Sequence, residues 1–148
     1  MANRFDIDTG SAGIVTGLHY TAENGLSKGA TLILAHGAGS AQQSPFMRHF
    51  AQGMSSRGID TITFNFVYME KGRRAPDHTM RLEATYRAAI EATEARATAT
   101  SNRLVIGGKS MGGRIASQVA ASDETLVDVH GLIFLGYPLH PPGRPERR

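Results

Sequence analysis

The chain contains no cysteine and no tryptophan. Without cysteine there can be no disulfide framework, no thiolate metal site and no cysteine nucleophile. No stretch approaches the roughly 18 apolar residues of a membrane helix, and the start, Met1-Ala2-Asn3-Arg4-Phe5-Asp6, carries no apolar signal-peptide core. These absences lead to the expectation of a soluble, cytoplasmic protein with no membrane partner. Charge of one sign is scarce as well, because 16 basic and 13 acidic residues leave a net charge of only +3. Basic residues cluster locally at Lys71–Arg74 and Arg144–Arg148, and no basic stripe with interleaved aromatics is visible. Nucleic acid is therefore not an expected partner.

What is present fits one globular unit. With 148 residues, 41% of them hydrophobic and 20% charged, the chain can bury a core over residues 1–148 as a single domain. Phe5–Asp8 and Ile14–Tyr20 alternate around a Thr9–Gly13 turn signal, as in a hairpin at a sheet edge. Ala30–Ala35 is a continuous apolar run, the mark of a strand buried on both faces. In Pro45–Arg57 the residues Phe46, Met47, Phe50 and Met54 fall at helical spacing, and Gly58 ends the segment. Ile59–Phe66 reads as a strand, Met69–Asp77 as a polar loop, and His78–Ala99 as a long helix with Leu82, Tyr86, Ala89 and Ile90 on one side. Arg103–Ile106 is a short strand, Met111–Ala121 a helix burying Ile115, Val119 and Ala120, and Leu132–Leu135 a last strand before a Pro-rich basic tail. This alternation predicts an α/β fold with a doubly wound, mostly parallel sheet and right-handed crossovers.

The sharpest chemical signal is Gly108-Lys109-Ser110-Met111-Gly112, a G-x-S-x-G pattern set between a strand and a helix. Such a turn is so tight that side chains two residues before and after the serine would collide, which requires glycine at Gly108 and Gly112. It would leave the Ser110 hydroxyl exposed above the carboxyl edge of the sheet, as a candidate nucleophile. The Met111 N–H and the helix dipole would then face a developing oxyanion. The bland rival is a glycine-rich turn with an N-capping serine. A phosphate-binding P-loop is excluded, because Arg103 stands where the first glycine of that pattern is needed. The second signal, His36-Gly37-Ala38-Gly39-Ser40, follows the apolar strand, where this kind of site takes its second oxyanion donor. Ala38 is the favoured donor, Gly37 and Gly39 remain alternatives, and a plain strand-to-helix turn is the rival. His36 is read as shaping the loop and not as a base.

Four segments carry a resemblance: Leu34–Gly39, Phe64–Pro76 with its Tyr68-Met69-Glu70-Lys71-Gly72-Arg73-Arg74, the Ser110 turn, and Gly136-Tyr137-Pro138-Leu139-His140-Pro141-Pro142-Gly143. Together they resemble the dienelactone-hydrolase-like group of α/β-hydrolases, which includes testis-expressed protein 30 and subunit 3 of the NSL acetyltransferase complex. The resemblance implies a serine-hydrolase-type fold that uses neither metal nor organic cofactor. It also implies that some members act as assembly components. His36, Tyr68, Lys71, Arg73 and His140 become candidates for the rim of the site, against the alternative that Tyr68–Arg74 is a solvated charged loop.

In this fold the acid and the histidine follow the nucleophile in chain order. After Ser110 the carboxylates are Asp123, Glu124, Asp128 and Glu146, and the histidines are His130 and His140. By their places in the strand–helix alternation, Asp123, Glu124, Asp128 and His130 are expected at the far end of the sheet. His140 is the one base expected at the correct edge. Family members continue through two further strands, so the expectation is an α/β-hydrolase fold lacking its last strands. Two functions follow: a serine hydrolase acting on a small ester or related acyl substrate, or a catalytically inactive hydrolase-fold module used for binding or assembly. The apolar last strand, with its outer edge open, leads to the expectation of a homodimer through Leu132–Tyr137.

Overall fold

A computed structural model describes residues 2–23, 25–97, 102–122, 129–140, 143–144 and 146; Asp123, Glu124 and Asp128 lie outside the described residues. In chain order the elements are β1 (Ala2–Asp8), a short 3₁₀ turn (Gly10–Ala12), β2 (Ile14–Tyr20), β3 (Ala30–Ala35), α1 (Pro45–Ser56), β4 (Asp60–Phe64), α2 (Val67–Glu70), α3 (Thr79–Ala97), β5 (Arg103–Lys109), α4 (Met111–Ser122) and β6 (Val129–Leu135). The six strands form one mixed sheet in the order β1-β2-β4-β3-β5-β6. β1 and β2 are the antiparallel edge hairpin, and β4, β3, β5 and β6 run parallel.

The apolar run of β3 is explained by its central place. Leu32 and Leu34 pack with Met47 of α1 on one face, while Ile33 and Ala35 join the larger cluster under α3 and α4 on the other. Strand side chains alternate between faces, so only a strand covered on both sides has this composition. α1 starts where Ser44 accepts from the Met47 N–H (3.3 Å) and Pro45 takes the first turn. It stops before Gly58 (φ 91°), where a Cβ would fall 1.8 Å from the Leu26 carbonyl oxygen. From β3 the chain turns one way to β4, while β5 lies on the other side. This reversal sets a crevice at the carboxyl ends of β3 and β5, where open α/β sheets bind ligands.

Several element boundaries depart from expectation, with β1 starting at Ala2 and β4 ending at Phe64. The segment Met69–Asp77 is not all loop, since Val67–Glu70 forms the short helix α2 and buries Val67 and Tyr68. β5 runs on through Gly107, Gly108 and Lys109, and β6 begins at Val129. Strand ladders continued these segments past the apolar residues that marked them in sequence.

Candidate active site

β5 delivers Ser110. Its N–H donates to the Leu135 carbonyl of β6 (2.9 Å), and its own carbonyl accepts from Gly113 (3.0 Å) and Arg114 (3.1 Å), which starts α4. Ser110 alone among the described non-glycine residues has a positive φ, 51°. A left-handed conformation of this kind costs an L-residue roughly 1–2 kcal/mol. The glycines around it are sterically demanded. A Cβ at Gly108 would lie 2.5 Å from the Gly112 carbonyl carbon, and one at Gly112 would lie 2.5 Å from the Ala35 oxygen and 2.6 Å from the His36 oxygen. At Gly113 it would press on the Gly108 oxygen at 2.9 Å and on Phe134 at 3.2 Å. Met111 and Gly112 open α4, so their N–H groups belong to the first turn, which has no intrahelical acceptors.

The loop after β3 lies against this turn: a Cβ on Gly37 would come 3.8 Å from the Ser110 Cβ and 3.4 Å from the Lys109 oxygen. Buried polar side chains hold it. His36, fully buried, places Nδ1 2.6 Å from the Gly37 oxygen, while its Nε2 accepts from the Phe66 N–H at 3.0 Å. A carbonyl can only accept and an N–H can only donate, so the ring is neutral with its proton on Nδ1. Burial holds its pKa down to about 4, with the Gly37 hydrogen bond opposing in part. Tyr68, also fully buried, donates its hydroxyl to the Ala38 oxygen (2.8 Å), and its own N–H donates to Asp77 (3.0 Å). Burial first, and then the Asp77 carboxylate, pushes its phenol up to about 12, so it stays a donor. Further along, buried Gln42 takes the Thr63 hydroxyl (2.8 Å) and donates to the Thr16 oxygen (2.9 Å), tying the loop to β4 and β2. Ahead of the Ser110 turn, the buried Tyr86 hydroxyl accepts from the Gly107 N–H (3.0 Å) and lies 2.6 Å from the Gly107 oxygen and 3.1 Å from that of Ile33.

Gly37, Ala38, Ser110 and Met111 thus meet at one edge. Of the expected rim, His36 and Tyr68 are corrected, since both point into the core and support the loop from behind. The aromatic contacts of His36 with Phe66 and Tyr68 (centroids at 5.0 and 6.0 Å) explain why, since an uncharged imidazole packs there as an aromatic. Lys71 and Arg73 are exposed, while Glu70 just before them is drawn back to accept from the Thr16 N–H. His140 is exposed beyond the end of β6. His130 sits at the start of β6, level with Leu104 and Val105, which places it about 16 Å of strand from Ser110 at ~3.3 Å per residue. The sheet also presents a pair that sequence reasoning missed. The Lys109 ammonium lies 4.6 Å above the Phe46 ring, and Phe46 is 43% exposed although its helical spacing marked it for the core. The available signal was position, since Phe46 opens the helix immediately after the loop and Lys109 precedes the serine. No group of three or more metal-ligating side chains occurs among the described residues.

Residues 28–148 match the family described as alpha/beta hydrolase domain. The chain belongs to this family. Among solved structures, the hydrolase domain is similar to an α/β serine hydrolase without a lid from Xanthomonas campestris (18% identity, TM-score 0.71, 92% of this chain and 68% of that one). It is also similar to an α/β serine hydrolase homologue from Coxiella burnetii (22%, 0.68, 82% and 58%) and to a dienelactone hydrolase from Anabaena variabilis (20%, 0.66, 82% and 57%). At such identities the likeness is one of fold, and the chain spans between 57% and 68% of the length of these three.

Proposed function

We propose that this domain carries the nucleophile and oxyanion-hole half of a serine-hydrolase site acting on an ester or related acyl compound. Ser110 is the nucleophile, and the Met111 and Ala38 amides, with Gly37 close by, receive the oxyanion. The observation that carries this reading is the left-handed Ser110 (φ 51°) at the β5–α4 junction, between glycines that admit no Cβ. Strain of that kind persists only where the surrounding structure enforces it, and it concentrates at functional sites. Preorganised amides supply much of the stabilisation in acyl transfer, and a helix start beside a backbone loop is the geometry that provides them. The test is labelling by a fluorophosphonate probe. Modification of Ser110 that disappears in Ser110→Ala supports the reading, and an unmodified wild-type chain refutes it.

The module reading draws on a different observation. One histidine–carboxylate pair, His19 with Asp60 (3.0 Å), joins β2 to the start of β4, at the end of the sheet opposite Ser110. Assembly through β6 is proposed on its exposed Leu132 and Phe134 (41% each) and on a ladder to β5 along one edge.

A further inference from the structure

We propose that Tyr68 and His36 form a lock on two successive peptide planes, making Tyr68 a positioning residue for the oxyanion hole; the inference rests on the function proposed above. In a trans peptide the carbonyl and the following N–H point in opposite directions, and no cis peptide occurs among the described residues. His36 binds the Gly37 oxygen at 2.6 Å from within the core. The Ala38 N–H, in the same plane, is therefore turned away from the core. Tyr68 binds the Ala38 oxygen at 2.8 Å, also from within the core, which turns the Gly39 N–H outward in the same way.

Neither plane is held by regular structure. β3 ends at Ala35, α1 begins at Pro45, and glycines flank Ala38 on both sides. A Cβ at Gly39 would meet nothing within 4 Å, so packing at that position does not oppose rotation. The two side-chain hydrogen bonds supply the constraint that the backbone lacks. They are themselves anchored from α2: Phe66, which donates to His36, caps its start, and Tyr68 lies within it with its N–H held by Asp77. The short helix that sequence patterning reads as loop thus serves to aim two amides. Gly37, immediately before these planes, is the residue of the loop that closely approaches Ser110.

The test compares wild type with Tyr68→Phe, which keeps the ring and deletes the hydroxyl. An ethyl fluorophosphonate phosphonylates a serine by forming an O–P bond while fluoride leaves and the hydroxyl proton passes to water, and its phosphoryl oxygen needs the oxyanion donors in the transition state. Removing one such donor outright costs on the order of 10²–10³ in rate; Tyr68 holds the peptide plane that follows Ala38 while His36 holds the plane carrying the Ala38 N–H, so deleting the hydroxyl frees Ala38 on one side only and should lower the maximal inactivation rate about tenfold. The inhibitor's KI should stay within about twofold and the melting temperature within a few degrees. A merely structural role would move stability and leave the inactivation rate of the folded protein unchanged, and that result overturns the proposal. ¹⁵N relaxation dispersion at the Ala38 and Gly39 amides gives a readout that needs no chemistry. If wild type resists the probe, the nucleophile reading fails, while new exchange at these amides in Tyr68→Phe still supports the lock. Amides equally rigid in both proteins overturn it.

Discussion

Lowering the pH should destabilise the domain through His36 in a calculable way. The imidazole is fully buried, spends its Nε2 lone pair on the Phe66 N–H, and is held neutral with a pKa near 4, against 6.5 when free. Below pH 6.5 the unfolded chain takes up a proton that the folded ring refuses. The folded state is thus favoured fully above pH 6.5, and the advantage is lost as pH falls toward 4. Each pKa unit is worth about 1.4 kcal/mol, so the full shift amounts to about 3 kcal/mol, of which about 2.5 is lost by pH 4.5. For a domain whose whole stability is ~5–15 kcal/mol this is a large share. The chain has five other histidines, so the comparison must be with His36→Gln, whose amide can donate and accept but cannot ionise. Urea unfolding at pH 7.0 and pH 4.5 should give a wild-type loss about 2–3 kcal/mol greater than that of the variant. Equal losses in the two proteins would refute the assignment of a buried neutral imidazole.

At Ser110 the usual ranking of alanine over glycine should reverse. Because φ is 51°, Ser110→Gly should be about 1 kcal/mol more stable than Ser110→Ala in chemical denaturation; an alanine variant at least as stable would show that the turn is unstrained. Tyr86→Phe deletes the hydroxyl that serves the Gly107 N–H, leaving a buried donor unpaired, and should cost about 1–3 kcal/mol by the same measurement. Burial alone raises the phenol pKa well above its usual value, only partly countered by the Gly107 bond, so no loss of stability is expected from its ionisation up to pH 10. Light scattering should find a dimer at micromolar concentration that Phe134→Lys dissociates without unfolding, since Phe134 is 41% exposed; a stable wild-type monomer contradicts the β6 assembly.

Local chemistry accounts for how much of this domain could be read in advance. The both-faces-buried composition of Ala30–Ala35 needs no partner to be recognised, because strand geometry sends successive side chains to opposite sides. The glycines at 108 and 112 are likewise demanded by a turn only a few residues long. Sequence alone therefore determined the parallel α/β sheet, the hairpin at its edge, and the junction that carries Ser110. The direction of Tyr68 and His36 was decided elsewhere. Both carry polar groups at the carboxyl ends of strands, which read as a site rim, yet both turn inward, Tyr68 to a carbonyl 30 residues away and His36 to that of the next residue. Lys109 and Phe46 meet only because β3 and β5 are adjacent. Hydrogen bonds that bury a polar side chain depend on which backbone groups the packed sheet leaves without partners. That is a property of neighbouring strands and loops brought together by the fold, and no period in the sequence encodes it.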